Sequence, residues 1–144
     1  MKRPISLALL TLCGAAACGQ SGFIGTWSIT NDTFTYTCDG LGNTQDDTGD
    51  FDIAASATNS GDLVSTDPNG CNVQWTPNGN TATLAAGQMC SGTVNGVTFD
   101  VTYTGGTATL TSSTVLTVTA TANGTANGAT CDFSNTFTAN LVAH

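Results

Sequence analysis

The sequence contains no glutamate, and its only lysine and arginine are Lys2 and Arg3. Charged residues make up 8% of the chain, against roughly 25% in an average soluble protein. The single histidine is His144, the last residue. Setting Lys2 and Arg3 aside takes the net charge from −8 to −10, carried by ten aspartates. Nucleic-acid binding needs basic side chains to neutralise phosphates, so this composition argues against it. Electrostatic attraction to anionic lipid fails for the same reason. No GxxxxGK[ST] or GxGxxG stands between a strand and a helix to cradle a phosphate. Nucleophilic triads need an imidazole held by its neighbours, and a terminal His144 is a poor candidate. A His/Cys zinc site is disfavoured likewise. Acid–base chemistry would have to run on aspartates alone. We therefore expect no enzyme.

The chain is 144 residues long and 40% apolar, enough for one domain with a core. Its start is of another kind. Lys2 and Arg3 precede an apolar stretch from Ile5 to Leu12, then Gly14-Ala15-Ala16-Ala17-Cys18. That stretch is too short to span a bilayer and has the form of an export signal. Ala15-Ala16-Ala17-Cys18 resembles the lipobox of bacterial lipoproteins, with Ala15 where Leu is more common. The resemblance implies a signal peptide over residues 1–17 and a diacylated Cys18, with residues 18–22 as lipidated start and tether. Gly19 after the Cys is compatible, in that class, with the outer membrane of the cell envelope. An ordinary A-x-A cleavage site, with a secreted or periplasmic product, is the alternative. A two- or three-chain anchor would hold the protein stably at a membrane.

Cysteine parity agrees with lipidation. Of six cysteines, Cys13 lies in the leader, and Cys18 would take the lipid. Cys38, Cys71, Cys90 and Cys131 remain, an even set suited to two disulfides. No CxxC occurs, so a redox or zinc reading is weak.

Residues 23–144 read as a single β domain with period-two alternation. Phe34, Tyr36 and Cys38 alternate with Thr33, Thr35 and Thr37. Val97, Phe99, Val101 and Tyr103 alternate with Thr98, Asp100, Thr102 and Thr104, and Leu116, Val118, Ala120 and Ala122 with Thr117, Thr119 and Thr121. Asn-Gly pairs at 69–70, 78–79, 95–96, 123–124 and 127–128 read as hairpin turns. Gly105-Gly106 and Ser60-Gly61 read similarly, and Pro68 and Pro77 as turn residues. The expected fold is an all-β antiparallel meander of about 8–10 short strands closed as a small barrel, with a β-sandwich as the alternative. All four cysteines fall in phase with the apolar faces. Cys71 and Cys90 flank a hairpin at Asn78-Gly79, and closure would bring the end of the first strand to the start of the last. Parity therefore favours Cys71–Cys90 and Cys38–Cys131, although three connectivities remain open from sequence alone.

Candidate sites are few. Gly25-Thr26-Trp27 resembles the G-x-W opening of lipocalins, up-and-down barrels that carry small apolar ligands; it would make Gly25 and Trp27 fold markers. Asp46, Asp47, Asp50 and Asp52 place four carboxylates within seven residues of a Gly-rich segment, a donor set suited to Ca²⁺. The EF-hand pattern is not matched, and a solvated acidic loop over residues 38–52 is the simpler account of these residues. The T-x-T repeats, such as Thr107/Thr109/Thr111 and Thr117/Thr119/Thr121, put hydroxyls on the wet face. Trp75 and Tyr103 share the apolar parity and read as core. Asp100 stands outward as a gatekeeping charge. No cofactor is expected, with Ca²⁺ left open at the acidic segment. The function expected is a non-catalytic, lipid-anchored envelope or surface protein acting as a binding or structural module. A lipocalin-like carrier of a small apolar ligand and a calcium-dependent adhesion or glycan-binding domain stay open beside it.

Overall fold

A computed structural model describes residues 20–46, 48–67, 70–94 and 96–144. Lys2, Arg3, Cys13, Cys18, Asp47, Pro68, Asn69 and Asn95 lie outside the described residues. Among the described residues the regular elements are ten strands: β1 (Gly25–Cys38), β2 (Leu41–Gln45), β3 (Asp50–Ala55), β4 (Leu63–Thr66), β5 (Asn72–Asn78), β6 (Thr81–Leu84), β7 (Met89–Val94), β8 (Val97–Ser112), β9 (Val115–Ala126) and β10 (Ala129–Ala143). All pairings are antiparallel, and β10 also pairs β1. Eight strands therefore close a barrel in the order β1-β3-β4-β5-β6-β8-β9-β10, with β2 and β7 added outside the ring. Barrel and not sandwich is the outcome, because β1 gives both of its edges to partners and leaves no seam.

Four long strands, β1, β8, β9 and β10, run through two regions. In one, Gly25–Ser28 of β1 pairs β3 and Gly106–Thr109 of β8 pairs β6, completing the ring. In the other, Phe34–Cys38 of β1 pairs β2 and Val97–Thr102 of β8 pairs β7, giving a six-stranded extension whose two outer edges have no strand partner among the described residues. Each partner-changing strand carries a bulge at the switch. One extra residue, Thr30 in β1 and Thr104 in β8, interrupts the register. A bulge bends its strand and increases twist locally, which is what a change of partner requires. The inward set of β1 accordingly changes parity, from Trp27 and Ile29 to Asp32, Phe34, Tyr36 and Cys38.

Two apolar clusters fill the interior. The ring holds Trp27, Phe51, Leu63, Trp75, Leu84 and Leu116 among others. Phe23 closes one end, fully buried, and its carbonyl accepts a 2.8 Å hydrogen bond from Trp27 Nε1. Trp27 is thus a core side chain, and its one polar atom is satisfied. The extension is packed by the rings of Phe34, Tyr36, Phe99 and Phe133, with edge-to-face contacts at 5.6 Å between centroids.

Disulfides join Cys38 to Cys131 and Cys71 to Cys90. These are the pairs that strand parity and closure favour. Cys38 and Cys131 are direct cross-strand neighbours, with Cα atoms 4.2 Å apart. Cys71–Cys90 ties the residue before β5 to β7, two elements that share no backbone ladder. Gln88 reinforces the same seam: Gln74 N donates to its Oε1 at 2.6 Å, and its Nε2 donates to Gln74 O at 2.8 Å. A side-chain amide there takes the place of the strand that β6 would have supplied, had it not ended at Leu84.

Several expected turns are corrected. Asn123-Gly124 lies within β9 and Gly105-Gly106 within β8. Both Gly124 and Gly106 are needed for close strand approach. A Cβ on Gly124 would overlap the Asp100 carbonyl oxygen and stand 2.8 Å from Val101 Cα, and one on Gly106 would stand 2.8 Å from Thr119 O. Pro77 is within β5, paired with Ala82 one residue from the hairpin, and the two-residue loop is Gly79-Asn80. Asn127-Gly128 behaves as expected, both residues having positive φ (47° and 85°). Asp39-Gly40 forms an equivalent turn, φ 50° and 80°, inside the stretch read as an acidic loop.

Candidate functional site

The ring surrounds a partly open cavity of about 190 Å³. Its walls come from the inward faces of β3–β6 and β8–β10, where alternation delivers Phe51, Ile53, Leu63, Val73, Leu84 and Val118. Ala82, Ala108 and Ala120 also line it, and these small inward residues leave the space that larger ones would fill. At the junction with the extension, Phe34, Phe133 and Phe137 complete the surface.

Few polar groups reach this lining. Ser65 Oγ accepts a hydrogen bond from Trp75 Nε1 at 2.9 Å, which settles the indole. Asp67 follows β4 and is half-buried. It is held in a tight turn: its Oδ1 accepts from Cys71 N at 2.9 Å, its carbonyl oxygen accepts from Gly70 N at 2.9 Å, and its own N–H donates to Cys71 O at 3.1 Å. A carboxylate oxygen of Asp67 lies within 4.8 Å of the Cys71 and Cys90 sulfurs. Tyr103 projects from β8 into the same space. Burial, and then the negative charge of Asp67, pushes its phenol above the ordinary value of 10.0, so it carries its proton at neutral pH. Asn135, inward on β10 between Phe133 and Phe137, holds its Oδ1 away from water without a hydrogen-bond donor.

The residues singled out in the sequence fall elsewhere. Asp50 and Asp52 share the outer face of β3, and Asp52 Oδ1 accepts a hydrogen bond from Thr26 Oγ1 at 2.7 Å. Asp46 is exposed between β2 and β3. The described carboxylates of that segment, Asp46, Asp50 and Asp52, do not come together as a cation-binding group; Asp67, Cys71 and Cys90 are the one such cluster among the described residues, and its two sulfurs are bonded to each other. Asp100 faces outward and accepts from Ser91 Oγ at 2.6 Å. The threonine pattern becomes rows across the barrel wall: Thr76, Thr83, Thr107, Thr119, Thr136 and Thr33 are successive cross-strand neighbours and all exposed. Such a row follows the curvature of six strands of the ring and presents no flat face. His144 is exposed, with Nδ1 3.1 Å from Ile24 O.

Sequence reading missed Asp67 and Asn135. Asn135 carried a signal, being in phase with Phe133 and Phe137 on an otherwise apolar face. Asp67 carried none, because only the turn it caps directs it to the cavity. No protein-family model, no curated protein and no solved structure matches this chain.

Proposed function

We propose that this protein is a non-catalytic, exported carrier that holds a small apolar molecule inside its barrel. The observation that supports this reading is the cavity of about 190 Å³ in a ring closed by backbone hydrogen bonds, with mostly apolar walls. Ligand sites take this form, an apolar concavity with a few convergent polar groups. Two disulfides fit an oxidising compartment outside the cytosol. The lipobox-like Ala15-Ala16-Ala17-Cys18 favours tethering to the bacterial envelope through Cys18.

Two experiments test the proposal. Toluene, an apolar molecule of the size the cavity admits, binds to saturation in a calorimetric titration, and Ala120→Leu, which fills the cavity, weakens binding about tenfold or more without loss of stability. No saturable binding at high protein concentration overturns the carrier reading. For the tether, Cys18→Ser moves the protein from the membrane fraction to the soluble one; an unchanged distribution overturns lipidation.

A further inference from the structure

Resting on the carrier reading, we propose that the cavity takes a small amine in its cationic form, its apolar body within the ring and its single ammonium group against the Asp67 carboxylate. Size sets the body. A dry engineered cavity of roughly 150 Å³ holds one benzene. The present space of about 190 Å³ therefore admits a substituted benzene ring or an aliphatic body of similar bulk, and excludes a long acyl chain.

Charge sets the head group. Beyond Arg3 the chain has no Lys or Arg, so no guanidinium or ammonium lines the cavity to receive a carboxylate or phosphate ligand. The one formally charged group on its lining is the Asp67 carboxylate; Ser65, Tyr103, Thr121, Ser134 and Asn135 are neutral. Asp67 brings a carboxylate, Asn135 an enclosed Oδ1 with no donor, and Ser65 an oxygen, while Tyr103 brings a phenol that keeps its proton. A carrier of fatty acids or other organic anions would place its ligand's charge beside Asp67, which is repulsive at short range.

Asp67 is also built to receive a cation. Its carboxylate is fixed by the Cys71 N–H and packed within 4.8 Å of the Cys71–Cys90 sulfurs, so little side-chain freedom is lost on binding. Being half-buried, it lets an ammonium group keep part of its hydration while the body is enclosed. The aromatic side chains of Trp75 and Tyr103 belong to the same lining, and aromatic rings attract cations.

The test uses the intact, disulfide-bonded protein and three matched probes: 2-phenylethylamine, 2-phenylethanol and 3-phenylpropanoate, measured by calorimetry at neutral pH. The amine binds about tenfold tighter than the alcohol, and the propanoate binds weakest. Asp67→Asn retains an Oδ1 for the Cys71 N–H but not the charge; it lowers amine affinity to that of the alcohol and leaves the alcohol unchanged. In the unaltered protein, added NaCl weakens the amine more than the alcohol. Amine and alcohol of equal affinity, a tightest-binding propanoate, an amine preference that survives Asp67→Asn, or an equal salt response would overturn the amine. If toluene also fails to bind, the carrier reading falls with it; if toluene binds, only the choice of ligand falls.

Discussion

The closed ring and the open extension share four strands yet solve the packing problem in opposite ways. In the ring, every strand has two hydrogen-bonded neighbours, so its wall stands without being filled. Small inward residues, Ala82, Ala108 and Ala120, can then leave space inside. In the extension, β2 and β7 each have one edge with no strand partner among the described residues, and the sheet is held by what it encloses. Its inner face is filled by four aromatic rings in mutual contact. Emptiness is tolerated where the backbone closes on itself; where it does not, side chains do the holding. The disulfides follow the same division. Cys38–Cys131 clamps two adjacent strands at the far end of the extension, and Cys71–Cys90 fastens the extension to the ring.

This contrast can be broken experimentally. The largest effect belongs to the disulfides. Cys38 and Cys131 are 93 residues apart and Cys71 and Cys90 are 19 apart. Restriction of the unfolded chain alone then gives about 4.5 kcal/mol for the first and about 3 for the second. Replacing each pair by alanine and measuring urea unfolding should rank them so, and the loss of Cys38–Cys131 should loosen the extension first by hydrogen exchange. Equal costs would show that the long loop is already restrained when unfolded.

A smaller effect separates two alanines of β9. Ala126→Leu inserts bulk among the packed rings and should cost about 1–3 kcal/mol. Ala120→Leu enters the cavity and should be neutral or stabilising. Similar costs at both would mean that the ring interior is as tightly filled as the extension.

The smallest effect is a pH dependence. Burial and Asp67 raise the Tyr103 phenol above 10.0 in the folded state, so its proton is held more tightly there than in the unfolded chain. The corresponding stability is fully present below pH 10.0 and is lost as pH rises through the higher folded value. The melting temperature should fall in that range, and Tyr103→Phe should flatten the fall. An unaltered profile in the variant would remove Tyr103 from the account.

Much of the scaffold was legible in the residues. Alternation of Thr with apolar residues located the long strands, and cysteine parity with sheet closure favoured the two observed bridges among three possible connectivities. Glycine misled, because it serves two purposes. Asn127-Gly128 turns the chain through positive φ, whereas Asn123-Gly124 lets β8 approach β9, and the dipeptides are identical. β2 was hidden because Gly42-Asn43-Thr44 has no apolar partner in phase, and its pairing with β1 is a ladder of backbone groups. The cavity was illegible for another reason. Composition counts the residues that face inward but not the volume they leave, and Asp67 reaches it through a turn eight residues ahead of Trp75.

The bulges at Thr30 and Thr104 bear on how such a gene can change length. Removing one codon from a strand normally turns everything on one side of the deletion inside out. Removing Thr30 does not: Trp27, Ile29, Asp32 and Phe34 would then fall into one unbroken alternation. The same holds for Thr104 between Tyr103 and Ala108. These two threonines can therefore be lost with the faces of β1 and β8 intact, and what would change is the bend where each strand exchanges one neighbour for another.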